Sequence, residues 1–501
     1  MKILSSSQTR QADAFTIENE PVSSINLMER AALGLVQQLF LHFAENTHYI
    51  IFCGKGNNGG DGLALARLLY GRGCRVNVII VEHSSSSSSD FDINFERLRN
   101  TDVQIQHLTE IGEMAALSKD AVIVDGILGS GLSRPLEGLI AEVVQVINET
   151  PQSTIAIDIP TGLFADDNSG NQLAAVVRAD YTYTFQYPKL CMMHKDTAPL
   201  CGYVHTIDIG LHPGFLGAAN STYYFLRKCD LVNRFIPRKK FTYKGSYGHG
   251  LLLGGSKGSM GAPLLSAKAA LRAGAGLLSV AIPGSGVLPL QAFLPEAMVI
   301  ADDDDDKLSS LPNIEKFTAY GIGPGMGTHK ASATLLKKLL ETCSQPMVLD
   351  ADALNMIANE RELFSILPNR AILTPHPGEF KRLLGVDKLE SDYLDRLREL
   401  AKKHQIIVIL KDAITAIALS DGTIYFSDFG SPALASPGSG DVLTGVILGL
   451  LSSGYSPESA ALLGVYVQAR AGTLAGESLS LEATLASDVI AQIASVFKEL
   501  Y

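Results

Sequence analysis

The chain has 501 residues, 46% of them hydrophobic and 19% charged, with a formal net charge of −11. That length exceeds what one hydrophobic core supports, so two domains are expected, and the composition excludes general disorder. The acidic balance argues against a nucleic-acid partner, no apolar run follows Lys2 to make a signal peptide, and no stretch is long enough to span a bilayer.

Short apolar runs alternating with helical stretches predict an α/β fold of parallel βαβ units in both halves. In the first half, strands are predicted at Tyr49–Cys53, Arg75–Val81, Ala121–Val124, Thr154–Ile157, Tyr181–Phe185 and Tyr203–Ile207. Ser84–Ser89 reads as a flexible surface loop. The Gly-, Pro- and Lys/Arg-bearing segment 210–240 marks a boundary near residue 220, giving domains 1–219 and 220–501. Second-half strands are predicted at Gly250–Leu253, Leu277–Ile282, Ala319–Ile322, Met347–Leu349, Ala371–Leu373, Ile406–Leu410, Thr415–Leu419 and Thr423–Phe426. Asp302–Asp306 lacks the spaced glycine and terminal Glu of an EF-hand and reads as a solvated acidic turn. Val442–Leu451, interrupted by Gly445 and Gly449, reads as a buried helix. The six cysteines show no CxxC pair or metal spacing, which predicts isolated buried thiols in a reducing compartment and a cytoplasmic location.

The first half carries its chemistry in Gly54-Lys-Gly-Asn-Asn-Gly-Gly-Asp-Gly62, between a strand and the helical stretch Leu63–Tyr70. Glycines let backbone N–H groups approach an anion at a helix start. Gly54, Gly56 and Gly59 also satisfy GxGxxG, with Glu82 at the end of the next strand, but that match alone is weak. Asn57, Asn58 and Asp61 exceed what a cofactor loop needs and suit ligand hydrogen bonding or a hard cation. Asp125, followed by Gly126–Gly131 and Arg134, and Asp158, followed by Ile159-Pro160-Thr161-Gly162, end two further strands. In an open parallel sheet such loops converge on one crevice. Capping of the following turns is the competing reading for each Asp.

The second half carries Ala435-Ser-Pro-Gly-Ser-Gly-Asp-Val-Leu-Thr-Gly445. Gly438 and Gly440 free backbone amides to face an anion, and Asp441 beside them can accept a hydroxyl proton as that oxygen attacks phosphorus. No GxxxxGK[ST] loop occurs. Gly321-Ile-Gly-Pro-Gly-Met-Gly327, Asp350 and Asp352, His376 between two prolines, and Lys411–Thr415 supply the other walls.

At these motifs, with Leu27-Met-Glu-Arg30, Asp158-Ile-Pro-Thr-Gly162, Tyr243-Lys-Gly245, Gly254-Gly-Ser256, the DADAL string at Asp350 and TPHPGE around His376, the whole chain resembles the bifunctional NAD(P)HX repair enzymes. That resemblance implies a Rossmann-like three-layer epimerase domain fused to a ribokinase-like dehydratase domain. The first interconverts the R and S hydrates of NADH and NADPH; the second dehydrates the S hydrate at the expense of ADP or ATP, with Mg²⁺. Asn57, Asn58, Gly59, Gly60, Asp61, Gly129, Ser130, Gly131, Leu132, Ser133, Arg134, Pro135 and Asp158 match its epimerase substrate contacts. Asn58, Asp125 and Thr161 match its K⁺ ligands. Ala262, Gly325, His376 and Asp441 match dehydratase substrate contacts, and Lys411, Asp412, Ala413, Ile414, Thr415 and Gly440 match nucleotide contacts. Asp412 departs from the glycine expected there. Asp441 is the implied dehydratase base; for the epimerase, Asp158 is the acid/base candidate and Asp125 the alternative. The resemblance further implies NADHX and NADPHX as substrates and a homo-oligomer, a tetramer or larger. Two rivals remain: a small-molecule kinase on the same scaffold, and a non-catalytic nucleotide-binding first half.

Overall fold

Runs of Val, Ile, Leu and Tyr form two separate sheets in the computed structural model, which describes residues 1–114 and 116–501. The first sheet has seven strands: β1 (His48–Cys53), β2 (Arg75–Val81), β3 (Gln104–Leu108), β4 (Ala121–Gly126), β5 (Thr154–Ile157), β6 (Tyr181–Phe185) and β7 (Tyr203–Ile207). All its pairings are parallel, in the order β3-β2-β1-β4-β5-β6-β7. The order reverses between β1 and β4, and such a reversal opens a crevice at the carboxyl ends of the strands. Successive residues of β1 serve opposite faces. Tyr49, Ile51 and Cys53 pack in the core that holds Leu35 and Leu39 of the helix Ser24–His42 and Leu63 and Leu69 of the helix Asn57–Tyr70. Ile50 and Phe52 pack in the other core with Val143 and Ile147 of the helix Gly138–Glu149. The result is a three-layer unit.

The second sheet has ten strands: β8 (Tyr223–Phe225), β9 (His249–Leu253), β10 (Leu277–Ile282), β11 (Met298–Ala301), β12 (Ala319–Ile322), β13 (Met347–Leu349), β14 (Ile372–Leu373), β15 (Ile407–Leu410), β16 (Thr415–Ala418) and β17 (Ile424–Ser427). Their order is β11-β10-β9-β12-β13-β14-β15-β16-β17-β8, parallel from β11 to β15, with β16 and β17 added antiparallel. Again the order reverses at the central strands, β9 and β12. The chain divides into two compact units, Met1–Tyr223 and Tyr224–Tyr501. Among the described residues, no helix is long and apolar enough to cross a membrane.

Several expectations need correction. The helix after β1 begins at Asn57, not Leu63, so the Asn-Asn-Gly-Gly-Asp string forms its first turns. The serine tract is not simply a loop: Ser88 caps the helix Ser89–Arg99 by accepting from Phe91 N. Strands β3 and β11 escaped the sequence reading: each lies at a sheet edge and keeps exposed residues, β3 presents no apolar run, and the short Met298–Ala301 run of β11 leads straight into the aspartate string. Cys229 is exposed, whereas the other five cysteines are buried.

The glycines of the apolar helix Ser439–Ser452 have a packing purpose. A Cβ on Gly445 would stand 2.2 Å from Ser266 O, and one on Gly449 2.4 Å from Ala270 O. The helix therefore lies backbone-close along Gly261–Arg272, and Ser266 Oγ donates to Asp441 O at 2.8 Å. This contact sets the height at which Asp441 stands. In an ordinary helix interior Gly→Ala stabilises by about 1 kcal/mol. Here Gly445→Ala is expected to destabilise the second unit by about 1–3 kcal/mol through overpacking, read as a lowered midpoint in denaturant unfolding.

Candidate active sites

In the first unit, loops from the carboxyl ends of β1, β4 and β5 enclose a cavity of about 500 Å³. Asn57, Asn58 and Asp61 line it from the helix start, Gly129, Ser130, Gly131 and Leu132 from the loop after β4, and Asp158 from the end of β5. Ser133, Arg134 and Pro135 are outside that lining, and so are Gly59 and Gly60. Gly59 acts through its backbone: a Cβ there would fall 1.8 Å from Gly54 O, so only glycine lets the helix start this close to β1. Glu82 does not line the cavity; it is paired with Lys55 (2.9 Å) and His107 (2.7 Å), which removes the support it gave the GxGxxG reading.

Asp158 takes a left-handed backbone, φ 63°, which is strained for a residue with a side chain and is the kind of strain functional sites hold. Its Oδ1 accepts from Lys189 Nζ (2.5 Å), Phe185 N (3.1 Å) and Thr184 Oγ1 (3.2 Å). Lys189 is 2% exposed and also donates to Thr184 Oγ1 and Phe185 O. Sequence reasoning missed Lys189. The available signal was a lone lysine just past the aromatic strand β6, in Phe185-Gln-Tyr-Pro-Lys189, whose neighbours are too apolar for a surface loop.

Asp125 is wholly buried beneath the cavity. Its carboxylate accepts from Thr161 N (2.7 Å), Thr161 Oγ1 (2.6 Å) and Ile127 N (3.2 Å). Burial pushes its pKa up to about 6 against those hydrogen bonds. Asn58 packs beside Gly126 and Gly129, close to the same loop, and its buried Nδ2 has no hydrogen-bond partner. Asp125 and Thr161 are thus in direct contact, Asn58 lies against the loop that follows Asp125, and the donors to the buried carboxylate are neutral. Asp61 is pushed well above the usual carboxylate range by burial, then by Asp158, Asp13 and Asp90.

In the second unit, Asp350 at the end of β13 is buried and shared: Lys411 Nζ donates to Oδ1 at 2.9 Å and Thr444 Oγ1 to Oδ2 at 2.7 Å. Lys411 ends β15 and lies over Gly440, where a Cβ would come within 3.2 Å of Nζ. Asp441 stands in the first turn of the helix Ser439–Ser452, behind the left-handed Gly438. Burial and then Asp350 push Asp441 up to about 7, with Lys411 opposing and Asp352 reinforcing. Asp352 Oδ2 accepts from Gly327 N at 2.8 Å and holds the Gly323–Gly327 loop, where Gly325 abuts Ala262. His376 caps the helix Pro377–Leu384, Nδ1 accepting from Gly378 N and Glu379 N, so part of its role is structural. Its ring remains half exposed.

Asp412 is not among the residues with positive φ, so its position makes no demand for glycine; its carboxylate accepts from Ala413 N at 2.8 Å and shapes the turn to Thr415. The Asp302 carboxylate is buried in its own turn, accepting from Asp304 N, Ser309 and Ser310.

The family described as "YjeF-related protein N-terminus" matches residues 24–191, and that described as "NAD(P)H-hydrate dehydratase" matches residues 250–495. A protein of Moorella thermoacetica named bifunctional NAD(P)H-hydrate repair enzyme Nnr is 35% identical over 100% of this chain and 97% of its own. Its Escherichia coli K12 namesake is 32% identical over 93% of this chain and 88% of its own. The crystal structure of an ADP/ATP-dependent NAD(P)H-hydrate dehydratase from Bacillus subtilis, co-crystallised with ATP/Mg²⁺, is 30% identical. It covers 56% of this chain and 99% of its own, with a TM-score of 0.49.

The Asp158–Lys189 pair is buried on both sides, and removing one partner of such a pair leaves an uncompensated charge costing about 3–5 kcal/mol. Lys189→Met is expected to lower the unfolding free energy of the first unit by about that amount. Adding Asp158→Asn to the same chain should recover part of the loss. A loss below about 1 kcal/mol in urea unfolding would show that the pair is not what balances Asp158.

Proposed function

The chain belongs to the family of bifunctional NAD(P)H-hydrate repair enzymes, and we propose that each of its units carries one site of that repair. The Rossmann-like first unit epimerises the R and S hydrates of NADH and NADPH. The ribokinase-like second unit dehydrates the S hydrate with ADP or ATP. Either hydrate is thereby rescued, because the first reaction feeds the second.

The observation that carries this reading is Asp441, a largely buried carboxyl at a glycine-flanked helix start, titrating about 7 and standing near Lys411 and Asp350. A base with that affinity takes the proton of the hydrate's C6 hydroxyl as its oxygen attacks the terminal phosphorus of the nucleotide. The nucleotide leaves one phosphate shorter. The C6–O bond then breaks, the ring N1 lone pair closes a C6=N1 iminium as phosphate departs, and loss of a C5 proton restores the dihydronicotinamide. Lys411 and the amide of Gly440 would meet the nucleotide phosphates, with Asp350 holding Lys411 in place. Asp412, Ala413, Ile414 and Thr415 would border the nucleotide; Ala262, Gly325 and His376 would border the hydrate. Mg²⁺, when bound with the nucleotide, neutralises charge on the transferring phosphate.

For the first unit, Asp158 is the acid/base, supported by its strained backbone, its ring of donors and its place in the cavity lining. Asp125 lines no part of that cavity. Potassium would be held by Asn58, Asp125 and Thr161, whose oxygens and buried carboxylate suit a hard cation. Bound there, it would supply the positive charge that the neutral donors around the Asp125 carboxylate do not.

The test follows the near-ultraviolet absorbance of reduced nicotinamide after the protein is added to mixed R and S NADHX with ADP or ATP, Mg²⁺ and K⁺. Full recovery of both epimers is expected. Recovery of the S share alone would remove the epimerase assignment, and no recovery with either nucleotide would favour the kinase reading. Asp441→Asn is expected to lower the dehydration rate about 10²–10⁴-fold with nucleotide KM little changed. Because the base must be ionised, wild-type kcat/KM for dehydration should fall about tenfold per pH unit below about 7 and level off above it.

A further inference from the structure

The first helix, Ser6–Asn19, lies outside the family match at residues 24–191, and no motif pointed to it. It is nonetheless one wall of the first unit's cavity, which Thr9, Arg10 and Asp13 line together with Asp61, Asp158 and Lys189. Thr9, Asp13 and Thr16 recur at helical spacing on one face. Contacts at three levels fix that face. Ser6 donates from N (3.1 Å) and Oγ (2.8 Å) to Asp166, Tyr187 Oη donates to Thr9 Oγ1 (3.0 Å), and His212 N donates to Thr16 Oγ1 (2.9 Å). The helix is pinned at its start, middle and end, so Asp13 is a fixed feature of the cavity.

Inversion at C6 by exchange of the hydroxyl makes a demand that one carboxylate does not meet. As the hydroxyl leaves one face of the ring and water enters the other, a proton donor is needed on one side and an acceptor on the opposite side. We propose that Asp13 is a second acid–base residue of this site, acting on the hydrate from the helix wall while Asp158 acts from the end of β5; this rests on the epimerase reading above.

Asp13, in its neutral form, gives its proton to the C6 hydroxyl. The C6–O bond breaks, the N1 lone pair forms the C6=N1 iminium, and water departs. A water on the other face then adds its oxygen to C6, the π pair returns to N1, and the surplus proton passes to Asp158. Exchange with solvent resets both carboxyls, and the reverse reaction uses the same groups with roles exchanged. The surroundings suit the donor role. Burial, then Asp158, raises Asp13 to about 6, while Lys189 pulls it down. The other charged or titratable groups around it are Asp61, Tyr187 and, on its own helix, Arg10; His212 meets the Phe15 ring edge to face.

The experiment measures R-to-S interconversion chromatographically, without nucleotide, in the full-length chain carrying Asp13→Asn or Asp13→Glu. Urea unfolding of the first unit in the same preparations reports its integrity. If wild type does not epimerise above the spontaneous rate, the epimerase reading itself fails. If it does, Asp13→Asn is expected to lower kcat about 100-fold or more with KM within about threefold, and Asp13→Glu to restore part of it. Wild-type kcat/KM should fall as pH rises above about 6, where Asp13 gives up its proton. That limb should vanish in Asp13→Asn and move in Asp13→Glu. An Asn variant within about twofold of wild type, or an alkaline limb unmoved in the Glu variant, overturns the proposal.

Discussion

A carboxylate buried at the carboxyl end of a parallel strand must be met by donors, and both units of this chain are organised around meeting one with a lysine. Asp158 after β5 is met by Lys189 beyond β6; Asp350 after β13 is met by Lys411 at the end of β15. Each lysine is fixed by backbone that the sheet itself positions, so the charge pair and the fold stabilise one another. What each site does then follows from the acids left without a cation of their own. Around Asp158 these are Asp61 and Asp13; beside Asp350 it is Asp441. Burial raises the proton affinity of these unpaired acids most, and the paired carboxylate beside each adds to it.

The glycine-rich strings and the strand-end aspartates were legible because each needs a residue type that has few substitutes. Gly59 is forced by the approach of Gly54, and Asp441 is flanked by glycines that open the helix start. The order of apolar runs likewise carried the parallel architecture, since strands buried on both faces leave continuous hydrophobic stretches. The resemblance named the chemistry before any geometry was available. Lys189 and Asp13 were not legible, for the same reason in two forms. Their importance lies in partners distant along the chain: the apolar surroundings of Lys189 hint at burial without naming its partner, and nothing local marks Asp13. The helix bearing Asp13 fully buries only Ala12 and Thr16 and adds partial contacts from Phe15 and Ile17, so no broad amphipathic stripe announces it.

Several motifs change character in the fold. The Asn57–Asp61 string is helix, not loop, so its side chains project at helical intervals and only some reach the cavity. His376, chosen for its prolines, spends one ring nitrogen capping a helix. Asp412, suspected for replacing a glycine, sits in a turn that asks for none.

The first helix also bears on where such a domain can be cut. The family match begins at residue 24, yet the cavity's wall begins earlier, with Thr9 tied to Tyr187 across the unit. A recombination event that respected that boundary would transplant the sheet, the glycine string and Asp158 while leaving Thr9, Arg10 and Asp13 behind. The likeness to whole-chain relatives runs past residue 24 to the first helix, and the working part of the domain extends with it.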